Sequence, residues 1–321
     1  MLLFRFWTRR LSPGASDRVT YTMARPELIE ELIKDAPPEQ IKEVLKDVKI
    51  LAGDDEEVTR VATDTIRAYD LKHFTEAKYE MDGKERKFLL SSHGEVGSDS
   101  GLYYDPSTKA CVKYDHLAQS SAGLVEDKGE DVKRLQGGEE AEAQRKALEA
   151  RLGEAYMKEK YPFGVCTVYS TASSSGGGGG AREFAVCISS TVYKPRSYWS
   201  GRWTSEWIVA EGGGQSFALK GKCDVATHYY ENGNVQFKSN RSFPETKVKP
   251  GSDPAASAEA VVAAIAEAEL RYQEDLQESL RDFAESTFKK LRRQLPLTQL
   301  KFPWATGAAS LATELVKKQK A

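Results

Sequence analysis

Residues 254–294 read PAASAEAVVAAIAEAELRYQEDLQESLRDFAESTFKKLRRQ, with no glycine and no proline after Pro254. Apolar residues recur in this stretch at steps of three and four, the spacing of one face of an amphipathic helix. About forty residues at ~1.5 Å each predict a rod of about 60 Å. Pro254 suits a first helical turn and Pro296 cannot continue a helix, so we predict one long helix within residues 250–296. The apolar face comprises Ala258, Val262, Ile265, Ala268, Tyr272, Leu276, Leu280, Phe283 and Leu291.

The end of the chain is basic, whereas the rest is acidic. Residues 286–321 contain eight Lys or Arg and one acid, Glu314, a charge of +7. Because the whole chain carries −2, residues 1–285 carry −9. Lys and Arg are favoured at helix C-termini by the helix dipole, but this excess continues past Pro296. A basic tail on an acidic body indicates an acidic partner.

A second amphipathic segment follows Pro296. Trp304, Ala308, Leu311 and Leu315 lie at steps of four, three and four. A short helix at a chain end is only marginally stable in isolation, because nucleation is costly. The segment should therefore dock on its own body, on a partner or on a membrane surface, and we favour a partner protein.

The composition excludes several classes of protein. Of 321 residues, 29% are charged and 40% hydrophobic, and no apolar run approaches the ~20 residues that cross a bilayer. The four cysteines and four histidines show no metal-ligand spacing, which favours reduced thiols and a cytoplasmic protein without metal or cofactor. No catalytic or nucleotide-binding motif occurs, so we do not expect an enzyme. Aromatic residues are not interleaved with the basic ones, which argues against nucleic acid as a partner.

The first residues are set apart by composition. MLLFRFWTRRLSPGAS is apolar and Arg-rich, with no acid before Asp17. It resembles a transit peptide or a surface amphipath. The alternative is that the natural chain begins at Met23. Both interpretations remain open, and residues 1–24 are left out of the fold.

The remaining pattern predicts an α+β fold. Three amphipathic helices should pack antiparallel as a stalk, a small β element should follow, and an antiparallel sheet should be crossed by the long helix and followed by a mobile amphipathic C-terminal tentacle. The predicted units are a helical stalk at 25–75, a small β element at 76–117, a polar loop plus helix at 118–160 (the loop at 118–140), the sheet at 161–245, the long helix at 250–296 and the tentacle at 297–321.

Two features of the predicted sheet are specific. Trp199, Trp203 and Trp207 fall on one face of an unbroken strand, so we expect them in a core under the long helix. Asn232-Gly233 is typical of a two-residue hairpin turn. The Ser/Gly run at 173–180 lacks the ending of a phosphate-binding loop and is expected to be a flexible hairpin tip. A sheet of this kind should have an open edge that invites pairing with another chain.

Two longer stretches resemble a known family. These are His228-Tyr229-Tyr230-Glu231-Asn232-Gly233-Asn234-Val235 and Phe288-Lys289-Lys290-Leu291-Arg292-Arg293-Gln294-Leu295-Pro296. Both are similar to signature stretches of the F-actin-capping protein alpha subunit family. The similarity runs in register from about residue 25 to about 316, and it also includes the phrases Leu32–Pro38, Tyr114–Leu117, Cys166–Tyr169 and Gly201–Trp203.

The resemblance implies a function without chemistry. It implies a cytoskeletal protein that pairs with a beta subunit of similar fold, edge to edge, and caps the barbed (fast-growing) end of actin filaments. A homodimer is the alternative assembly. Anionic phosphoinositide lipid is a further implied partner, so the alternative function of the basic tail is binding to an anionic membrane. Gln299 stands where the family usually has Arg, which removes one expected actin contact.

The implied actin-binding residues lie in the tail. Lys289, Arg292 and Arg293 would steer the encounter with the acidic surface of actin, with Lys290 and Lys301 as weaker candidates. Trp304, Leu311 and Leu315 would fill an apolar groove on the terminal actin subunit.

Overall fold

The computed structural model describes residues 26–52, 56–97, 100–126, 129–136, 138–172, 182–212, 216–231 and 235–282. The first part consists of helices α1 (Pro26–Lys34), α2 (Ile41–Ala52) and α3 (Glu56–Lys72). Their apolar faces meet in one cluster that includes Ile29, Ile33 and Ile66. The three-helix unit predicted from the sequence is confirmed, and we call it the stalk.

The small β element is larger than its sequence suggests. Strands β1 (Glu76–Met81) and β2 (Lys84–Leu89) pair, and β3 (Leu102–Asp105), β4 (Ala110–Asp115) and β5 (Ser120–Val125) form a second, antiparallel sheet. Helix α4 (Glu130–Gln136) follows and buries Val132 and Leu135. The loop predicted at 118–140 is therefore wrong. Strand β5 has a largely exposed, small-residue sequence without alternation, and its pairing with β4 gives it order.

The main sheet has five antiparallel strands in the order β10-β9-β8-β7-β6. Helix α5 (Glu139–Arg151) precedes it and continues through a π-helical turn (Leu152–Tyr156) into α6 (Met157–Lys160). The strands are β6 (Gly164–Ala172), β7 (Arg182–Lys194), β8 (Trp199–Gly212), β9 (Ser216–Tyr229) and β10 (Val235–Val248), and the chain then enters helix α7 (Pro254–Asp282).

The two faces of the main sheet serve different neighbours. On β8, Trp203 and Trp207 face α7 and belong to the largest apolar cluster. The indole of Trp207 is 1% exposed and packs so closely on Gly221 of β9 that a Cβ there would lie 2.3 Å from the ring. Alternate residues of β8 face the stalk and the small sheets, where Arg202 contacts Tyr69 and Glu206 contacts His93. The prediction of a tryptophan core under the long helix is confirmed for Trp203 and Trp207. It is wrong for Trp199, which is half-buried outside this cluster with Lys194 over its ring.

Strands β9 and β10 form the predicted hairpin pair. The described ladder begins with Tyr229 opposite Val235, whereas a regular two-residue turn on Asn232-Gly233 would place Tyr229 opposite Gln236. The turn itself, the Ser/Gly run, residues 1–24 and the tentacle lie outside the described residues.

Candidate interaction surface

The predicted actin-binding residues lie outside the described part of the chain. Helix α7 is described as far as Asp282, which is short of the first of them. This applies to Lys289, Lys290, Arg292, Arg293, Lys301, Trp304, Leu311 and Leu315. The described structure shows how the helix that leads to them is held.

A buried carboxylate anchors α7 to the body. Glu269 is 1% exposed, and its carboxylate accepts hydrogen bonds from the hydroxyls of Tyr156 (2.6 Å) and Tyr161 (2.5 Å) and from the indole Nε1 of Trp207 (2.9 Å). Burial and the neighbouring Glu269 raise the pKa of both tyrosines, so their hydroxyls stay protonated donors. A buried carboxylate is stable only when it is hydrogen-bonded in this way.

The start of α7 is also fixed by its sequence. Asp253 caps the helix, because its Oδ1 accepts a hydrogen bond from the backbone N–H of Ala256 at 2.8 Å. Pro254 occupies the first turn, as predicted. The cap and the Glu269 anchor together set where the helix crosses the sheet.

The second half of α7 runs past the sheet. The helix contacts β10 where Tyr272 hydrogen-bonds Ser239 (2.8 Å) and Asp275 pairs with Arg241 (2.5 Å). Beyond Leu276, which is half-buried, every described residue of the helix is exposed. Leu280 continues the apolar face at a step of four and is 47% exposed. An exposed apolar stripe that extends beyond the core on which the helix packs is available to a partner.

Strand β10 forms an open edge of the main sheet. It pairs with β9 on one side, and no strand among the described residues pairs with its other side. Neither of its faces is well buried: Phe237, Ser239 and Arg241 are half-buried toward α7, whereas the residues between them are exposed.

The open edge is protected only at one end. A register shift between Phe243 and Thr246, next to Pro244, disrupts the ladder there. Bulges and prolines are devices that stop an edge strand from pairing. From Val235 to Phe243 the register is regular, so this part can accept another strand. We define the open-edge surface as the edge of Val235–Phe243 together with Leu276 and Leu280.

The opposite edge is covered by the chain itself. Strand β2 and helices α4 and α5 pack against β6. The backbone N–H of Leu89 donates to Oγ1 of Thr167 (3.0 Å), and the guanidinium of Arg145 donates to the carbonyl of Val168 (3.4 Å). The backbone of the β6 edge is therefore covered and hydrogen-bonded by the chain itself, in contrast to the open β10 edge.

Metal binding, membrane spanning and cysteine pairing can also be examined in the described residues. No group of three or more His, Cys, Asp or Glu side chains that could hold a metal ion occurs among them. No helix within the described ranges is long and apolar enough to cross a membrane. The four cysteines, all within the described ranges, form no disulfide, and three of them are buried.

Comparison with known families decides the identity of the fold. The family model of the F-actin capping protein alpha subunit matches residues 29–314. The chain belongs to this family. The resemblance inferred from the two signature stretches is confirmed, and so is the fold class for the described residues.

Members of the capping protein alpha family from distant organisms match most of the chain. The F-actin-capping protein subunit alpha of Caenorhabditis elegans is 33% identical over 278 residues, covering 85% of this chain and 90% of the relative. That of Dictyostelium discoideum is 30% identical and covers 84% and 89%. The structure of the homodimeric actin capping protein alpha subunit from Plasmodium berghei superposes with a TM-score of 0.69 at 21% identity, covering 85% of this chain and 97% of that one.

Sequence reasoning missed the buried anchor of α7. Glu269 is a charged residue on the apolar face between Ile265 and Tyr272, and that position was the available signal for it. The second half of β10 carries no strand signal of its own, because Ser239–Val248 contains Asn, Ser and Pro without apolar alternation.

Proposed function

We propose that this chain caps the barbed ends of actin filaments as one subunit of a dimer, without catalysis. The observation that carries the proposal is the family match over residues 29–314, which includes the basic cluster at 289–293 and most of the tentacle. Capping requires a surface that binds the filament end and stays bound. The basic cluster and the tentacle of this chain provide two linked attachments. Two linked contacts raise avidity by ~10²–10⁴ through effective concentration.

The dimer forms at the open-edge surface. A second sheet adds to the Val235–Phe243 edge by strand pairing, and the overhanging turns of α7 place Leu276 and Leu280 on the partner. The partner is a capping protein beta subunit of similar fold, or a second copy of this chain. Support for the second possibility comes from the Plasmodium berghei relative, whose structure is described as a homodimer.

The tail makes the contacts with actin. Lys289, Arg292 and Arg293 steer the encounter with an acidic surface, and Lys290 and Lys301 add charge. Trp304, Leu311 and Leu315 then occupy an apolar groove and slow dissociation. The Glu269 anchor supports this division of roles, because it fixes the direction in which α7 leaves the body.

The second candidate function is binding of the tail to anionic membrane, including phosphoinositide. The observation that favours it is the +7 charge of residues 286–321, since each Lys or Arg near an anionic bilayer contributes ~1 kcal/mol. The apolar face of the tentacle is narrow, so we assign membrane binding a regulatory part and place the protein in the cytoplasm with the cytoskeleton.

Dimerisation is tested on two leucines of equal exposure. Leu280 is 47% exposed and lies in the open-edge surface, whereas Leu270 is 48% exposed on the same helix and lies off the apolar stripe. Leu280→Asp should weaken association at least tenfold in sedimentation, and Leu270→Asp should leave it unchanged. Equal effects of the two substitutions would mean that the dimer forms elsewhere.

Capping is tested by single-filament microscopy of the assembled protein. Charge reversal at Arg292 and Arg293 should slow association with barbed ends, and deletion of residues 303–321 should speed dissociation with little change in the association rate. If the deletion leaves pause lifetimes intact and abolishes binding to anionic vesicles, the tentacle is a lipid anchor and the assignment of Leu311 and Leu315 to actin is wrong.

A further inference from the structure

A cavity of about 700 Å³ lies on the face of the main sheet that is turned toward the stalk. The stalk, the small sheets and strands β7 and β8 of the main sheet all contribute to its walls. We call it the stalk cavity, and the lining residues that matter here are Glu39, Lys42, Tyr69, Ser121, Thr191 and Arg202.

Arg202 is the unusual side chain in the stalk cavity. It is 8% exposed, yet its one hydrogen bond to a described residue runs from Nη1 to the hydroxyl of Tyr69 at 3.1 Å, with the guanidinium over the Tyr69 ring at 5.2 Å. No carboxylate among the described residues lies within ion-pair distance of it. A guanidinium has five N–H donors, and arginines buried to this degree are normally paired. Most of the N–H donors of Arg202 are therefore available to hydrogen-bond a ligand in the cavity.

The other charges of the cavity are unevenly distributed. Lys78 and Lys87 share Glu76, at 3.2 and 3.8 Å. Lys42 and Arg202 have no such partner among the residues that the structure describes, and Glu39 is the only other carboxylate in the described lining. His73 adds no charge near neutral pH, because burial and the neighbouring Arg202 lower its pKa to about 2. With four cations and two carboxylates, the lining carries a net positive charge.

Hydroxyl groups line the same cavity. Ser120, Ser121, Ser189 and Thr191 all face it, and Thr191 is the direct cross-strand neighbour of Arg202. Oγ of Ser121 is buried without a hydrogen-bond partner among the described residues. Hydroxyls and an arginine fork together match the several acceptor oxygens of a phosphate group better than the two oxygens of a carboxylate.

We propose that the stalk cavity binds a small phosphate-bearing anion, with Arg202 supplying the principal charge and the cavity hydroxyls supplying further hydrogen bonds. The cavity exceeds the volume of inorganic phosphate, so it also accommodates a small phosphate ester. The ligand bridges the stalk and the main sheet, because Arg202 lies on β8 and Lys42 on α2. None of the cavity-lining residues belongs to the open-edge surface.

The competing explanation is that Glu39 is the counterion of Arg202. Glu39 has a left-handed backbone (φ 61°), and its side chain is not within ion-pair distance of Arg202. Burial raises the pKa of Glu39, while Arg202 acts in the opposite direction. The two explanations predict different results for Glu39→Gln. If Glu39 is the counterion of Arg202, the substitution destabilises the protein. If Glu39 competes with the anion for Arg202, the substitution strengthens phosphate binding.

The test is titration of the assembled full-length protein with inorganic phosphate and with glycerol 3-phosphate, by calorimetry at constant ionic strength. Arg202→Met should weaken binding at least tenfold, and Glu39→Gln should strengthen it severalfold. The matched control is Arg182→Met, because Arg182 is already paired with Glu211 (2.7 Å) and Glu140 (3.0 Å) and lies outside the cavity. Tighter binding of the ester would identify a small metabolite as the ligand, and equal binding would identify free phosphate.

Thermal unfolding keeps the proposal testable if Arg202→Met alters the fold. Phosphate should raise the unfolding temperature of the unmodified protein and of Arg182→Met, and it should not raise that of Arg202→Met. Arg202→Lys keeps the charge and loses the bidentate guanidinium, so phosphate should raise its unfolding temperature by a smaller amount. The proposal is wrong if neither probe binds saturably, if Arg202→Met binds as tightly as the unmodified protein, or if Glu39→Gln lowers the unfolding temperature while phosphate has no effect.

Discussion

The two edge strands of the main sheet, β6 and β10, differ in what covers their outer sides. The β6 edge is closed by β2, α4 and α5 of the same chain, with Arg145 reaching the carbonyl of Val168. The β10 edge is free from Val235 to Phe243 among the described residues, and α7 crosses it and continues outward. One edge thus contributes to folding, and the other remains available for assembly.

The difference is consistent with the proposed dimer, which would pair at the edge that the chain itself leaves open. Edge strands invite unwanted pairing, and proteins normally blunt them along their whole length. Here the bulge next to Pro244 blunts only the far end of β10. Retaining a regular edge beside an apolar helical overhang makes sense if a specific partner covers both.

The largest expected effect comes from removing the anchor of α7. Glu269→Ala leaves the hydroxyls of Tyr156 and Tyr161 and the indole N–H of Trp207 without their acceptor. We expect a loss of about 3 kcal/mol in the free energy of unfolding and a helix that no longer projects past β10 in a fixed direction. Chemical denaturation measures the first effect, and sedimentation of the protein measures the loss of assembly.

A surface glutamate on the same helix provides the control for that substitution. Glu267 is exposed and pairs only with Arg271 one turn away. Glu267→Ala should change stability by less than about 0.5 kcal/mol. If Glu269→Ala is as mild as this control, the helix is held by apolar packing alone.

The next effect separates the two edges directly. Arg145 is buried at the β6 edge, where its side chain is 1% exposed and pairs with Glu142 at 2.8 Å and Glu149 at 2.9 Å. Arg145→Met should cost about 2 kcal/mol of stability, because two partly buried carboxylates lose their partner, and it should leave association unchanged. Denaturation and sedimentation of the same preparation test both statements.

The counterpart at the open edge is Arg241. Its ion pair with Asp275 joins side chains that are 37% and 54% exposed. Arg241→Met should therefore cost at most about 1 kcal/mol of folding stability while weakening association. A reversal, with Arg145 affecting assembly and Arg241 affecting only folding, would break the comparison of the two edges.

A further effect depends on pH and should involve neither edge. His73 lies in the stalk cavity with a pKa lowered to about 2, against about 6.5 when unfolded. Below pH 6.5 the unfolded chain binds a proton that the folded chain does not, so stability is lost as the pH falls. From pH 7 to pH 5 we expect a loss of about 2 kcal/mol at most.

The variant His73→Gln isolates this contribution. Glu39, whose pKa is raised by burial, acts in the opposite direction on acidification, so the difference between the two proteins is the informative quantity. Unfolding of both at pH 7 and pH 5 measures it. Equal pH dependence would show that His73 does not stay neutral in the folded state.

The sequence predicts local structure well where one periodicity dominates. The steps of three and four in residues 254–282 predict α7 with its correct start, because burial of one face is a property of the segment itself. The same holds for the stalk helices and for most strands. The region 118–140 was predicted to be a loop, since the order of β5 comes from its partner β4 and not from its own residues.

Contacts between distant segments could not be predicted in this way. Glu269 meets Tyr156, Tyr161 and Trp207 across 62 to 113 positions of sequence, and no spacing rule joins them. The environment of Arg202 was equally unpredictable, because only the folded structure shows that no carboxylate among the described residues pairs with its guanidinium. The tail was found from its charge and its apolar spacing, its role in actin binding came from the family resemblance, and its contacts with actin stay a prediction.

The most direct test of the account is residue-level hydrogen exchange along β10 in the assembled protein. Antiparallel strands direct alternate N–H groups to opposite sides, so a free edge shows alternating fast and slow amides. If the partner pairs with this edge, Val235–Phe243 will be protected at every residue, as β9 is. If the particle is a dimer by mass and the alternation persists in β10, the edge is not the assembly surface and the account is wrong.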